Sequence, residues 1–277
     1  MELHRLSAFT TDPAGGNPAG VVLSDAPLPS ERMQQIAAEV GFSETAFLVP
    51  AGDPDRWDVR YFAPAAEVPF CGHATVAAGV LLGHRHGPGT VVFATAAGEV
   101  PVRIHEGEPP TATVISVPPS VAPVSGAVLR AALDACDWDR DALDPALPPA
   151  IAFAGARHLV VPVATRELLA ALRYDFDRLR GVMAAAELTT TAVVWREDTH
   201  HWHARNPFPV GGVVEDPATG AAAAALGAWL RAHDLVDPPA TVHILQGVDM
   251  GRPSQLTVDV PPGNGGIAVT GAAVPIP

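Results

Sequence analysis

The sequence predicts an α+β fold in two similar domains. Three observations predict it. Short strand-type runs outnumber helical ones along the whole chain, two helical segments are apolar on every side, and each of those segments follows the same succession of strand, loop and turn. The 277 residues, 48% hydrophobic and 17% charged, are ample for one large buried core or two smaller ones.

In chain order, strand-type runs fall at residues 3–9, 20–23, 45–49, 59–62, 90–93, 100–104 and 111–117. They resume at 158–163, 191–195, 201–204, 241–245, 255–260 and 266–270, with Pro, Gly and Asp turns between them. A first helix is expected over residues 30–40, with Met33, Ile36, Ala37 and Val40 on one face and Ser30 as its cap. Residues 74–82 and 218–232 read as helices with no polar face, a pattern that belongs in the core of a domain. The proline-rich, nearly uncharged stretch "SVPPSVAPVSGAV", residues 116–128, reads as a linker. It separates domains over 1–118 and 119–277, with the last strand able to cross back to the first. "DVRYFAPAAEVPFCGHATVAAGVLLG" and "HWHARNPFPVGGVVEDPATGAAAAALGAWL" share their order of features, which a duplicated unit explains economically; the alternative is a coincidence of Ala-rich helices.

The net charge of −13, with no run of Lys or Arg, argues against a nucleic-acid partner. It leaves small substrates open, since a local site can be cationic on an acidic protein. Two cysteines, Cys71 and Cys136, are too few for a disulfide framework. The start "MELHRLSAFT" lacks the basic and apolar regions of a signal peptide, and no apolar stretch is long enough to span a bilayer. A cytoplasmic protein without membrane contact is expected.

Four residues stand out chemically. Glu44, in "GFSETAFLVP", sits where helix turns to strand among apolar neighbours, a setting that suits a general acid or base; the alternative is a surface glutamate at a turn. His73, in "PFCGHATVAAG", enters an apolar helix whose positive end favours a neutral imidazole; the alternative is a core histidine bonded to backbone. Asp216, in "EDPATG", is equally a good helix-entry residue. Cys71 is either a thiolate at a helix start or a small buried hydrophobe. Both apolar helices lack a Ser or Thr cap, so their first N–H groups are expected to hold an anion such as a carboxylate. The "HHWH" cluster, His200, His201 and His203, has no paired Cys, Asp or Glu at ligand spacing and no HExxH, so no metal is expected. Walker, GxGxxG and GxSxG patterns are absent, which leaves nucleotide binding and serine hydrolysis without support.

These stretches, in this order, resemble the PhzF family, the phenazine-biosynthesis-like proteins related to diaminopimelate epimerase. The resemblance runs from "AFTTDPAGGNPAGVVL" through "GFSETAFLVP", "VRYFAP" and "PFCGHAT" to "GVVEDPATGAAAAALGAWL". It implies the diaminopimelate-epimerase-like fold, two similar domains each with a sheet wrapped around a central helix and an active site in the cleft between them. It places the family's catalytic glutamate, histidine and aspartate on Glu44, His73 and Asp216. It implies a cofactor-independent isomerase that moves a proton on a small carboxylate-bearing metabolite, with substrate contacts at Asn17, Gly72, Ala74, Thr75, Thr219, Gly220 and Ala221. A homodimer is expected. Two departures bear on the substrate: Ala221 stands where the family commonly has Ser, and "RNPFP", residues 205–209, replaces a segment closer to "RxFAP". The rivals are a two-base epimerase using Cys71 and a non-catalytic ligand-binding protein on the same scaffold.

Overall fold

A helix that is apolar on every side is stable only when something surrounds it, and here strands do so. The computed structural model describes residues 1–277. Contacts within the chain divide it into two compact units, Met1–Ile115 with Thr270–Pro277, and Ser116–Val269.

The first unit contains β1 (Glu2–Ala8), β2 (Asn17–Leu23), α1 (Ser30–Val40), β3 (Glu44–Pro50), β4 (Arg56–Phe62), β5 (Glu67–Val68), α2 (Gly72–His86), β6 (Gly89–Thr95), β7 (Gly98–His105) and β8 (Thr111–Ile115). Antiparallel β1–β2 is followed by parallel β2–β3, antiparallel β3–β4 and parallel β4–β6. Antiparallel β6–β7 and β7–β8 continue the sheet. The chain's last strand, β17 (Ala268–Pro275), joins β8 to β1, with Ala8 opposite Ala273, and so closes a barrel. α2 runs inside it against β1, β2, β3, β7 and β8. All eleven residues from His73 to Gly83 are buried. Two glycines set how closely the helix approaches the wall: a Cβ on Gly79 would sit 2.8 Å from Val102 and 2.9 Å from Ala112, and one on Gly83 2.7 Å from Ile104. Outside the barrel, α1 lays Met33, Ile36 and Ala37 against Val22, Phe47 and Phe62. Gly41 ends α1 with φ 71°, its N–H returning to Ala37 O, a left-handed position that glycine adopts without strain.

The second unit contains β9 (Ser120–Pro123), α3 (Gly126–Ala135), β10 (Ala150–Phe153), β11 (Arg157–Pro162), α4 (Arg166–Ala170), α5 (Phe176–Ala185) and β12 (Thr190–Arg196). It continues with β13 (His201–Phe208), β14 (Val213–Asp216), α6 (Gly220–Ala232), β15 (Ala240–Gln246) and β16 (Ser254–Val260). Its sheet runs β9–β10–β11–β12–β13–β15–β16. α6 packs against β9, β10, β11 and β16, and a Cβ on Gly227 would meet Val258 at 2.8 Å. α3 and α5 cover the other face, where Leu129, Leu133, Leu179 and Met183 bury against Leu159, Val161 and Val193. The order of a long strand, a short hairpin partner and an apolar helix occurs twice in the chain, as β4–β5–α2 and as β13–β14–α6.

Several expectations are corrected. The stretch at 116–128 is not a linker throughout: it supplies β9, which pairs with β10, and the start of α3, capped by the Ser125 hydroxyl. The strand is short, and its single proline, Pro123, stands at its end opposite Ala150. α1 is capped at Pro29, so Ser30 is its first helical residue and not its cap. The apolar helices begin at Gly72 and Gly220, not at 74 and 218. α3, α4 and α5 and the short β5, β9, β10 and β14 were not legible in the periodicity, being brief or interrupted.

The packing predicts opposite outcomes at two glycines. Gly79→Val should destabilise by about 1–3 kcal/mol, because the added atoms overlap the barrel wall. Gly181→Ala, in α5 with no atom within 4 Å of the new Cβ, should stabilise by about 0.5–1 kcal/mol. Urea unfolding of both variants checks the pair; a Gly79→Val protein as stable as the wild type would contradict the tight seat of α2.

Candidate active site

The site residues of the first unit follow from the entry of α2 into its barrel. Cys71 takes the N-cap position in an extended conformation (φ −145°, ψ 114°) with no side-chain cap, so Gly72, His73 and Ala74 have no intrahelical acceptor for their N–H groups. The Thr75 N–H is the first to bond back, to Cys71 O at 3.0 Å. Thr75 is fully buried, and its hydroxyl is committed to Cys71 O (2.7 Å) and Tyr61 Oη (2.6 Å). That bond ties the Cys71 peptide to β4. Burial pushes the Tyr61 phenol well above its ordinary range, so it stays protonated.

Glu44 opens β3, opposite Ala19 of β2. Strand alternation puts its side chain on the same face as Ala46 and Leu48, both wholly buried. Glu44 Oε2 lies 3.5 Å from His73 Nε2 and 3.5 Å from Cys71 Sγ. Cys71 Sγ is 3.4 Å from His73 Nδ1 and 3.9 Å from His73 Nε2, while Ser43 Oγ reaches His73 Nε2 at 3.3 Å. The His73 side chain is 7% exposed and that of Glu44 20%, so the carboxylate is the part of the trio that meets solvent. A carboxylate, an imidazole and a thiol in mutual contact beside three backbone donors can take, hold and pass on a proton. Asn17, the first residue of β2, is buried.

In the second unit, Asp216 ends β14 opposite Asn206 and is half-buried. Its Oδ2 accepts from Thr219 Oγ1 at 2.6 Å. Gln246, at the end of β15, donates to Asp216 O (2.7 Å) and to Thr219 Oγ1 (3.1 Å) and accepts from the Thr219 N–H (3.1 Å). Thr219 is the N-cap of α6 without capping it through its own side chain, and Gly220 and Ala221 follow, half-buried, in the first turn. Gln246 went unnoticed in the sequence because a glutamine some thirty residues beyond the motif carries no local signal. The neighbouring Arg205–Glu215 pair is also closed in: Arg205 Nη2 donates to Glu215 Oε2 at 2.6 Å, and Arg205 Nη1 takes the carbonyls of Leu169, Ala170 and Leu172.

The other sequence candidates separate from these groups. His201 Nδ1 pairs with Asp198 at 2.9 Å, His203 Nε2 with Glu197 at 2.9 Å, and His200 Nδ1 with Thr241 O at 2.9 Å. The histidine cluster is therefore divided among separate partners. Cys136 follows α3 as its C-cap, and burial pushes its thiol up to about 11.

The chain matches the family described as phenazine biosynthesis-like protein (PhzC-PhzF) over residues 6–276. It is 32% identical over 267 residues to an uncharacterized isomerase of Escherichia coli K12, YddE, covering 94% of this chain and 90% of that one. It is 31% identical over 261 residues to the trans-2,3-dihydro-3-hydroxyanthranilate isomerase of Pseudomonas aeruginosa, covering 92% and 89% of the two chains. The crystal structure of a Bacillus anthracis phenazine biosynthesis protein of the PhzF family superposes with a TM-score of 0.89 at 26% identity, over 100% of this chain and 98% of the other. No helix is long and apolar enough to cross a membrane.

A buried polar chain beside Asp216 also escaped the sequence reading. Thr190 Oγ1 donates to Asn206 Oδ1 at 3.2 Å; its one proton thus spent, it accepts from His158 Nδ1 at 2.8 Å. His158 is completely buried, its Nε2 has no partner, and burial pushes its imidazole down to about 3. The unfolded chain takes up this proton below about 6.5, so the folded state loses stability as the pH falls from there toward 3, at roughly 1.4 kcal/mol per pH unit. Between pH 7 and pH 5, wild-type protein should lose about 2 kcal/mol more than His158→Gln in urea unfolding. Equal losses would show that His158 does not carry this dependence.

Proposed function

Because this chain belongs to the phenazine biosynthesis-like (PhzC-PhzF) family and is an isomerase, we propose that it moves a proton on a small, carboxylate-bearing metabolite by general acid–base catalysis without a cofactor. We read its two units as domains of the diaminopimelate-epimerase type. The observation that carries the reading is the Glu44 carboxylate, partly exposed at the start of β3 and 3.5 Å from His73 Nε2. Glu44 removes a proton from a carbon made acidic by conjugation. The N–H groups of Gly72, His73 and Ala74, with the positive end of α2, stabilise the negative charge that develops. His73, supported by Ser43, exchanges the proton with Glu44 so that it can be returned at a second carbon. Asp216, with Thr219 and the first turn of α6 at Gly220 and Ala221, is assigned to substrate handling on the family resemblance, as are Asn17 and Thr75. For Thr75 the role is indirect, since its hydroxyl and N–H both hold the turn at Cys71. Ala221 supplies no hydroxyl, which favours a substrate with one acceptor fewer than a serine-bearing relative would take.

Deuterium uptake from D2O tests the proposal directly. Wild-type protein, offered trans-2,3-dihydro-3-hydroxyanthranilate and a panel of unsaturated cyclic carboxylates, should exchange a carbon-bound proton in at least one of them by proton NMR. Glu44→Gln should remain folded and exchange at least about a hundredfold more slowly. Equal exchange by both proteins would overturn the role of Glu44.

A second reading has its own observation: Cys71 Sγ is 3.5 Å from Glu44 Oε2, close enough for the thiol to act as a base in an epimerase. Cys71→Ser separates the two. The acid–base isomerase should keep activity within about tenfold, whereas a thiol-based epimerase should fall by about a hundredfold or more. Rapid, substrate-protected alkylation of Cys71 by iodoacetamide would accompany the second outcome.

A further inference from the structure

We propose that Glu44, Cys71 and His73 form a binding site for a thiophilic divalent cation of the zinc class, and that occupation of this site switches the enzyme off. Only the second half of the proposal rests on the catalytic reading given above.

The ligand types come first. A carboxylate, a thiol and an imidazole are the three donors that zinc takes from proteins, and the softer sulfur selects Zn2+, Co2+ or Cd2+ over Mg2+ or Ca2+. This is the one cluster of His, Cys, Asp and Glu in the chain whose ligand atoms all lie within 4.8 Å of one another. The "HHWH" histidines, which the sequence singled out, form no such group.

The spacing comes next. Zinc bonds of about 2.0–2.3 Å at tetrahedral angles place the ligand atoms about 3.3–3.6 Å from each other. Glu44 Oε2 stands 3.5 Å from Cys71 Sγ and 3.5 Å from His73 Nε2. The third edge, Cys71 Sγ to His73 Nε2, is 3.9 Å. The sulfur is nearer to His73 Nδ1, at 3.4 Å, so ligation through Nε2 requires the imidazole to turn and give up its contact with Ser43 Oγ. The backbone pieces are already fixed: Cys71 and His73 flank the first residue of a buried helix, the Cys71 carbonyl is tied to Thr75, and Glu44 is held in the β3 ladder. Little chain ordering is left for the ion to impose.

The balance is simple. The cation replaces the thiol proton, which passes to solvent, and forms one bond each to sulfur, nitrogen and oxygen. Three protein ligands leave a fourth position for water, the arrangement of an exchangeable site more than of a closed structural one. Glu44, the exposed member, gives the ion its way in. The net charge of −13 raises the local concentration of cations. With Glu44 and His73 bound to the ion, neither can accept the substrate's proton.

Cobalt provides a readout independent of activity. Chelator-stripped wild-type protein titrated with Co2+ should develop a thiolate-to-cobalt charge-transfer band in the near ultraviolet that saturates at one equivalent, and Zn2+ should displace it. Cys71→Ser should lose the band and bind Zn2+ at least about a hundredfold more weakly in competition with a chromophoric chelator. Cys136→Ser should bind as the wild type does. Should Cys71→Ser fail to fold, Glu44→Gln serves in its place: it should keep a sulfur band and bind Zn2+ about 10–100-fold more weakly. No band in wild-type protein, a band unchanged in Cys71→Ser, or affinity unchanged in Glu44→Gln would overturn the site. Zn2+ should also stop deuterium exchange over the concentration range in which it displaces Co2+. Exchange that persists with the site filled would overturn the switch, while loss of the band alone would leave the catalytic reading untouched.

Discussion

The burial of α2 inside a closed ring of strands is the constraint on which the first unit depends. A helix without a polar face has to be enclosed, and a helix enclosed along its length has its unsatisfied N–H groups concentrated at its mouth. Gly79 and Gly83 let the barrel wall close on it, and Thr75 with Tyr61 fixes the peptide from which it starts. Once the start of α2 is fixed, so are Cys71 and His73. β3, pinned between β2 and β4, then brings Glu44 to them from another part of the sequence. The packing that hides the helix is thus also what brings Cys71 and His73 to Glu44.

The second unit meets the same demand with different side chains. α6 is again apolar and again has a glycine, Gly227, where strands approach. Its start is held by Gln246, which bonds to Asp216, Thr219 and the Thr219 N–H together. Beside it the polar groups are tied to one another. His158, Thr190 and Asn206 form a directed chain, and Arg205 fills three carbonyls as well as Glu215. Removing any one partner would leave a buried donor or acceptor exposed to the full cost of desolvation, about 1–3 kcal/mol for a neutral group. Such networks hold the ends of β13 and β14 to one geometry.

The two proposals for the trio Glu44, Cys71 and His73 rest on one arrangement of atoms. Atoms close enough to pass a proton are close enough to share a metal ion, because both tasks need lone pairs converging on one point. What separates the outcomes is the occupant, a proton or a soft cation, and the sulfur of Cys71 weights the choice toward zinc-class ions.

Much of this was already determined by the sequence. Thirteen strand-type runs and three helices could be read from local periodicity, since alternation and apolarity are properties of neighbouring residues. Glu44, His73 and Asp216 could be singled out because each sits at a junction between elements, in motifs that resemble those of the family. Other features depend on the tertiary structure. β9 could not be read inside a proline-rich stretch, because its stability comes from pairing with β10, about thirty residues away. The part played by Gln246 and the directed chain through His158 have no local signature either, for their partners arrive from other strands. The contact of Glu44 with Cys71 and His73 spans 27 and 29 positions of sequence, and only the closing of the barrel around α2 turns that separation into 3.5 Å. Local patterning selects the elements; distances between reactive atoms are set by long-range packing, which no window of sequence contains.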